Sequence, residues 1–127
     1  MKRFLHPELF RCSFFSLTQY HRKKEEFFIL FLNRANKVLG WSRLSIGGMI
    51  GTVVDPKIVL CMALLTGANS IVVSHNHPSG NLKPSEADIK LNKQLKEAGK
   101  LLEIQLLDHL IIVPDGSFFS FADEGMM

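Results

Sequence analysis

Three stretches of the chain have the apolar and β-branched pattern that is typical of β-strands. A hairpin is predicted where the turn residues NRAN join the aromatic run EFFILFLN to KVLGWSRLSI. The segment SIVVSHNH predicts a further buried strand that runs into two histidines. The tail LLEIQLLDHLIIVPDGSFFSFAD predicts two or three strands with a turn at PDG.

Between these strands, the run VVDPKIVLCMALLTGAN predicts a helix. Asp55 is a natural N-cap, Pro56 suits the first helical turn and Gly67 can end the helix. Because this helix is apolar on nearly every side apart from Lys57, we expect it to lie in the core with Cys61 buried.

A second helix, SEADIKLNKQLKEAGK, is predicted to open at Ser85 and stop near Gly99. Its apolar residues share one face, which we expect to pack inward: Leu91, Leu95, Ala98 and Leu102. Its lysines gather on the other side: Lys90, Lys93, Lys96 and Lys100. A solvated helix face explains these lysines, and contact with a phosphate backbone is the alternative.

Strands interleaved with two helices predict one α/β domain, a mixed β-sheet flanked by helices. We expect this domain to span residues 23–127, because residues 1–22 have no clear period and form a divergent N-terminal segment. The length of 127 residues suits one domain, and 46% hydrophobic residues exclude a disordered chain.

Charge and cysteine content say more about the environment than about the activity. A formal charge of +3 falls short of the basic patch of a dedicated nucleic-acid binder, so nucleic acid is only a weakly supported partner. The two cysteines, Cys12 and Cys61, argue against a disulfide framework and favour a reducing cytoplasm. Polar residues near the start and the lack of any run of about 20 apolar residues predict neither a signal peptide nor a membrane span.

The stretch SHNHPSGNLKPSEAD carries the candidate chemistry. In an extended strand His75 and His77 point to the same side, so both imidazoles can reach one point in space. Asp88 lies three residues before Leu91 and seven before Leu95, which places its carboxylate on the inward face of the second helix. A buried carboxylate needs a cation or hydrogen bonds, and a divalent metal held with two imidazoles would supply the cation.

Helix capping is the alternative explanation for the second half of this stretch. Ser85 as the N-cap and Asp88 at the third helical position fit a capping arrangement, in which the helix dipole favours negative charge. Capping does not require two same-side histidines at the end of a buried strand. The combination therefore favours a metal site over capping alone.

The spacing of His75-x-His77, then Ser85 after seven residues and Asp88 after two more, resembles the JAMM metal-binding motif of the JAB/MPN metalloprotease fold. The flanking GTVVDPKIVLCMALLTGANSIVVSHNHPSG and LLDHLIIVPDGSFFSF are similar to the RadC-type bacterial branch, and the similarity covers about residues 24–127. The resemblance implies a cytidine-deaminase-like α/β sandwich. It also implies zinc held by the two histidines and the aspartate, with water as the fourth ligand.

The same resemblance implies roles for further residues. The motif requires an upstream glutamate as general base, and KEEFFILFLN aligns so that Glu25 takes that position, with Glu26 the fallback if the register slips by one. Ser85 would hydrogen-bond the oxyanion, unless its hydroxyl is used to cap the helix. Asp108 and His109 match another position of the family, either as hydrogen-bond partners of the zinc ligands or as a polar pair at a strand end.

As a function, the resemblance implies a zinc-dependent metallohydrolase that cleaves a peptide or isopeptide substrate. Two alternatives stay open: a non-catalytic JAB-fold module that binds a partner, and an accessory protein associated with DNA repair. Longer RadC proteins carry a helix-hairpin-helix DNA-binding region before this domain, and we expect none in this chain. Neither the identity of the substrate nor the oligomeric state follows from the sequence.

Overall fold

Five strands and two helices make up the part of the chain that the computed structural model describes, residues 25–45 and 54–127. The predicted N-terminal segment, residues 1–22, lies outside these ranges, as does Cys12. The predicted hairpin, the strand before the histidines, both helices and two C-terminal strands are confirmed. In chain order the elements are β1 (Glu26–Leu32), β2 (Val38–Ser45), α1 (Pro56–Thr66), β3 (Ser70–Asn76), α2 (Glu86–Leu101), β4 (Gln105–Ile112) and β5 (Phe118–Ser120).

The strands form one mixed sheet in the order β2-β1-β3-β4-β5. Strand β1 is antiparallel to both β2 and β3, and β4 is antiparallel to β5. Strands β3 and β4 are parallel, which requires a long crossover connection, and α2 supplies it. The mixed sheet with its helices confirms the predicted α/β fold class.

Both faces of the sheet are apolar, and the strand register determines which residues face the helices. Phe27 of β1 pairs with His75 of β3, and paired residues of neighbouring strands point to the same side. Phe27 packs with Val59 of α1 and Leu95 of α2 in one core cluster, so we call this side the helix side. On the opposite side, the far side, a second cluster contains Phe28, Leu32, Val72, Leu107, Leu110 and Ile112.

A β-bulge in β4 changes the side to which the second half of that strand points. The register against β3 shifts after Leu106, so Leu107 is an extra residue. Leu106 packs on the helix side and Leu107 on the far side. Strict alternation would turn His109 to the far side as well, but the extra residue brings it opposite Val73, on the helix side.

Helix α1 packs against the sheet through one stripe of apolar side chains, and most of its other side chains are exposed. Asp55 caps its first turn and Gly67 ends it with a left-handed φ of 72°, as predicted. However, Leu65 is 82% exposed and Cys61 is exposed as well. The prediction of a core helix with a buried Cys61 is therefore wrong, because a helix on a single sheet can bury only the side that touches it. The buried residues of α1 are Val59, Leu60 and Ala63.

Helix α2 extends past the predicted stop near Gly99 and turns back tightly into β4. The backbone N–H of Ile104 donates to the carbonyl of Gly99 at 2.8 Å, and Gly99 is buried. A Cβ at this position would collide with the carbonyl oxygen of Ile104. The glycine therefore permits a backbone approach that any other residue would prevent. The predicted inward face is confirmed for Leu95, which is fully buried, and for the half-buried Leu91 and Ala98. The prediction is wrong for Leu102, which is 44% exposed because it lies at the C-cap, past the end of the helix.

The outer face of α2 carries its lysines into solvent, and Lys90, Lys93, Lys96 and Lys100 are all exposed. Lys93 Nζ lies 4.0 Å from Glu97 Oε1 one turn along the helix, an exposed pair of the kind that contributes little to stability. Within residues 25–45 and 54–127, neither helix is long and apolar enough to cross a membrane.

Replacing Gly99 with alanine tests the close approach of α2 to the start of β4. We expect the free energy of unfolding to fall by about 2 kcal/mol, because overpacking against fixed backbone outweighs the gain of roughly 1 kcal/mol in helix propensity. Lys96→Ala, on the exposed face of the same helix, should change it by less than about 0.5 kcal/mol. Urea unfolding measures both, and equal stability of Gly99→Ala and wild type would contradict the approach.

Candidate metal centre

Three side chains from neighbouring elements converge on the helix side of the sheet. His75 is the penultimate residue of β3, His77 follows the strand directly, and Asp88 lies in the first turn of α2. One candidate ligand atom from each residue lies within 4.8 Å of the other two. The structure thus brings together the three predicted residues in an arrangement that could hold a metal ion.

The separations between the donor atoms suit one small cation. The two Nε2 atoms of His75 and His77 are 2.9 Å apart. Asp88 Oδ1 lies 3.1 Å from His75 Nε2, and Oδ2 lies 3.2 Å from His77 Nε2. A tetrahedron of ligands with metal bonds of about 2.1 Å has edges of about 3.4 Å. The donors would therefore need to separate only by a few tenths of an ångström to surround a metal.

His77 is already oriented by its second ring nitrogen. Its Nδ1 lies 2.7 Å from the carbonyl oxygen of Asn81. A carbonyl oxygen can only accept, so Nδ1 carries a proton and donates it. In the neutral ring, Nε2 then presents a lone pair to the cluster, as a metal ligand must.

In the metal-free protein the cluster behaves as an ion pair. Burial alone would raise the pKa of Asp88, but the adjacent imidazoles of His75 and His77 outweigh this effect and hold that pKa well below its usual range. Burial also opposes the charged form of His77, while Asp88 and the carbonyl of Asn81 favour it, so the net shift of the His77 pKa is upward. Without a metal, Asp88 therefore favours the protonated form of His77.

Ser85 caps α2 and holds the carboxylate of Asp88 in place. The backbone N–H of Asp88 donates to Ser85 Oγ at 3.1 Å, and the backbone N–H of Ser85 donates to Asp88 Oδ2 at 2.8 Å. Both halves of the capping box are therefore present. Capping and ligand convergence occur in the same residues, so the two explanations of the stretch are compatible. Ser85 Oγ accepts in this arrangement and keeps its own proton for donation.

Glu25 lies on the helix side beside the cluster. It precedes by two positions the β1 residue that pairs with His75, and alternate residues of an extended chain face the same side. Together with His75 and Asp88 it lines a cavity of about 420 Å³. Glu26 points to the far side, where its carboxylate lies 3.7 Å from Arg43 Nη1. The parity of β1 therefore brings Glu25, and not Glu26, to the cavity.

The predicted pair Asp108 and His109 divides between the two sides of the sheet. His109 is fully buried, and its Nε2 lies 3.2 Å from Nδ1 of His75. Asp108 instead accepts hydrogen bonds from Ser120 Oγ and from the backbone N–H groups of Ala122 and His109. Burial raises the pKa of Asp108. The pKa of His109 is well below its ordinary value, mainly because the ring is buried and secondarily because His75 is close to it. Only His109 of this pair contacts a candidate ligand.

Two asparagines at the site do not follow from the sequence patterns described above. Asn92 is 3% exposed, and its Oδ1 lies 3.3 Å from Nδ1 of His109. It follows Asp88 by one helical turn, so an amide on the inward stripe of α2 was a signal that could have found it. Asn81 acts through its backbone carbonyl, which leaves no mark in the sequence.

The fold and the site together define an α/β domain with a candidate metal centre at the carboxyl end of a central strand. The family model of the RadC-like JAB domain matches residues 9–126. The chain therefore belongs to the RadC-like JAB domain family, which confirms the resemblance found in its sequence. Its mixed five-stranded sheet with two helices is consistent with a JAB/MPN domain.

Curated bacterial proteins that carry the name UPF0758 protein are similar to this chain. The one from Flavobacterium johnsoniae is 48% identical over 102 residues, which are 80% of this chain and 44% of that protein. The one from Porphyromonas gingivalis is 43% identical over 104 residues, 82% of this chain and 46% of that protein. The one from Geotalea uraniireducens is 41% identical over 127 residues, 100% of this chain and 55% of that protein. The chain thus spans about half the length of the curated relatives it matches.

The pH dependence of stability tests the charge pair in the metal-free protein. A raised His77 pKa contributes stability below the ordinary value of 6.5, and this contribution is lost as the pH rises through the folded-state pKa. The lowered Asp88 pKa contributes above its ordinary value of 3.8 and is lost in acid. We therefore expect Asp88→Asn to be less stable than wild type by about 1 kcal/mol near pH 5.5, and this difference to be smaller near pH 8, because the contribution of His77 is lost as the pH rises.

Urea unfolding in the presence of a chelator measures this difference. Asparagine keeps an oxygen that can accept from the N–H of Ser85, so the helix cap is preserved. Asp115→Asn is the matched control, because Asp115 also has a lowered pKa, but hydrogen bonds from Ser117, and not a histidine, cause that shift. A difference for Asp88→Asn that does not change between these two pH values would contradict the ion pair.

Proposed function

We propose that this chain is a zinc-dependent hydrolase that cleaves a peptide or isopeptide bond. The observation that carries the proposal is the convergence of His75, His77 and Asp88, two of which, His75 and Asp88, line one cavity together with Glu25. Two imidazole nitrogens and one carboxylate oxygen are a protein ligand set that catalytic zinc sites use, with the fourth position left open. Membership in the RadC-like JAB domain family supports the same chemistry.

The chemistry that zinc would supply when bound is Lewis acidity, which would polarise the scissile carbonyl and lower the pKa of a coordinated water to about 7. Glu25 acts as the general base: one carboxylate oxygen takes the proton of the attacking water and later delivers it to the leaving amine. Its position on the helix side, at the cavity that His75 and Asp88 also line, favours this role. Glu26 is engaged with Arg43 on the far side, which argues against the fallback assignment.

Ser85 stabilises the oxyanion by donating the proton of its hydroxyl. The Oγ atom accepts from the N–H of Asp88 and thereby caps α2, and a hydroxyl that accepts one hydrogen bond can still donate another. The residue is exposed at the start of the helix, so a substrate carbonyl can approach it. The capping bond fixes the oxygen and leaves its proton for the reaction.

The cavity beside the cluster accommodates part of the substrate. Its volume of about 420 Å³ is within the range of binding pockets and exceeds what a single water needs. Its lining combines apolar groups from β1, from α2 and from the segment at the start of α1 with polar groups from α2. The lining includes Phe27, Val54, Leu91, Lys90 and Gln94. This mixture suits an extended peptide segment with one apolar side chain turned inward.

Metal analysis tests whether the cluster binds zinc. We expect near-stoichiometric zinc in the purified wild type after zinc is supplied, and its loss in both His77→Ala and Asp88→Ala, because each variant removes one of three protein ligands. Cys61→Ala is the matched control, since its thiol is exposed on α1. Wild-type protein that stays metal-free under these conditions would contradict the proposal.

Hydrolysis by the zinc-loaded protein separates an enzyme from a binding module that uses zinc for structure. Glu25→Gln should keep its zinc but hydrolyse an internally quenched peptide library and lysine-linked isopeptide conjugates about 10²- to 10⁴-fold more slowly, because it lacks the base. Glu26→Gln, one residue away on the far side, should stay close to wild type. Unchanged hydrolysis by Glu25→Gln would refute its assignment, and zinc-loaded wild type without hydrolysis would favour the binding module.

A further inference from the structure

We propose that His109 and Asn92 are positioning residues that fix the tautomer of His75, so that its Nε2 atom presents a lone pair to the metal. The functional part of this inference rests on the zinc site proposed above. The hydrogen-bond chain itself belongs to the fold. It runs from the carbonyl of Met126 through Asn92 and His109 to His75, and each step fixes the direction of the next.

The backbone carbonyl of Met126 determines which groups donate and which accept at the outer end of this hydrogen-bond chain. Asn92 Nδ2 donates to the carbonyl oxygen of Met126 at 3.4 Å. The flipped amide would place two oxygens against each other, so the hydrogen bonding orients Oδ1 toward His109. Oδ1 lies 3.3 Å from His109 Nδ1 and can only accept. His109 Nδ1 must therefore carry a proton.

The tautomer of His109 in turn determines which nitrogen of His75 carries the proton. Its ring is completely buried, and its two nitrogens contact the side chains of Asn92 and His75, so burial favours the neutral form. A neutral imidazole with its proton on Nδ1 has a lone pair on Nε2. That atom lies 3.2 Å from His75 Nδ1, which must then be the donor. Nε2 of His75 is left unprotonated, 3.1 Å from Asp88 Oδ1.

The C-terminal segment holds His109 in this orientation. The ring of Phe121 stacks on that of His109, with centroids 4.4 Å apart and planes 10° from parallel. The N–H of Phe121 donates to the carbonyl of His109 at 3.0 Å, and the N–H of Met126 donates to the carbonyl of Phe121 at 2.8 Å. Ser120 donates to Asp108 and ties the same segment to β4. One segment therefore fixes both the ring and the carbonyl at the end of the chain.

The two candidate ligands reach the same tautomer by different routes. His77 lies just beyond β3, where a loop carbonyl from Asn81 is within reach. His75 lies inside the strand, where neighbouring backbone carbonyls are used in the sheet, so a side chain must accept its proton. The β-bulge at Leu107 makes His109 available for this purpose, because it turns that residue to the helix side.

Nitrogen NMR of the metal-free protein at pH 8 tests the tautomer directly. We expect the His75 ring of the wild type to carry its proton on Nδ1, and His109→Leu to shift it toward the Nε2 form, because the acceptor is gone. His109→Gln should restore the wild-type tautomer, since its side-chain oxygen can accept from His75 while its NH₂ donates to Asn92. A wild-type His75 with its proton on Nε2 would overturn the inference.

Zinc affinity, measured by competition with a chromophoric chelator, tests the functional part. His109→Leu should weaken zinc binding about 10- to 100-fold, the range typical for the loss of a ligand's hydrogen-bond partner. His109→Gln should stay near wild type, and Asn92→Leu should weaken binding in the same direction as His109→Leu. Both His109 variants remove the ring, so an equal loss in both would assign it a packing role and refute the positioning role.

The two measurements separate failure of this inference from failure of the proposed function. Unchanged zinc affinity in His109→Leu and Asn92→Leu would refute the positioning role even if wild type binds zinc well. A wild type that binds no zinc would refute the zinc site, while the tautomer in the metal-free protein would still decide the inference. If His109→Leu does not give a folded amide spectrum, Asn92→Leu serves for both measurements.

Discussion

Two imidazole nitrogens and a carboxylate meet at one point between β3 and α2, and this constraint governs the rest of the site. The Nε2 atoms of His75 and His77 and the carboxylate of Asp88 approach one another to between 2.9 and 3.2 Å. Acceptors at this distance repel unless a positive charge lies between them. A proton supplies positive charge to part of this cluster, and a divalent metal would supply it to both nitrogens and the carboxylate. The surrounding hydrogen bonds matter because they determine which lone pairs point to the cluster.

The sheet topology brings the participating groups to the same edge. Strand β3 is parallel to β4, and the connecting helix α2 begins close to the carboxyl end of β3, which is where α/β sheets commonly bind their ligands. Because β1 runs antiparallel to β3, its first residues lie next to the last residues of β3. Glu25 therefore comes from a distant part of the sequence to the same edge as His75 and Asp88.

The sequence predicted the residues of the candidate site better than it predicted the packing around them. The spacing of His75 and His77 along a strand and the position of Asp88 on an apolar helical stripe depend on local geometry, so both could be predicted. Glu25, with Glu26 as the fallback, was indicated only by the family resemblance, because the strand pattern alone does not single out either glutamate. The burial of Cys61 could not be predicted in the same way, because the apolar sequence of α1 does not reveal how many sides of the helix pack against other elements. The orientation of His109 depends on a one-residue bulge, and residue pattern alone does not locate such an insertion.

Anomalous diffraction at the zinc edge, from crystals of the zinc-loaded protein, decides whether the converging lone pairs of β3 and α2 form a zinc site. We expect one strong peak about 2.0 to 2.2 Å from Nε2 of His75, Nε2 of His77 and a carboxylate oxygen of Asp88. A peak held by other residues, or zinc bonded to the Nδ1 atom of either histidine, would contradict this arrangement of ligands.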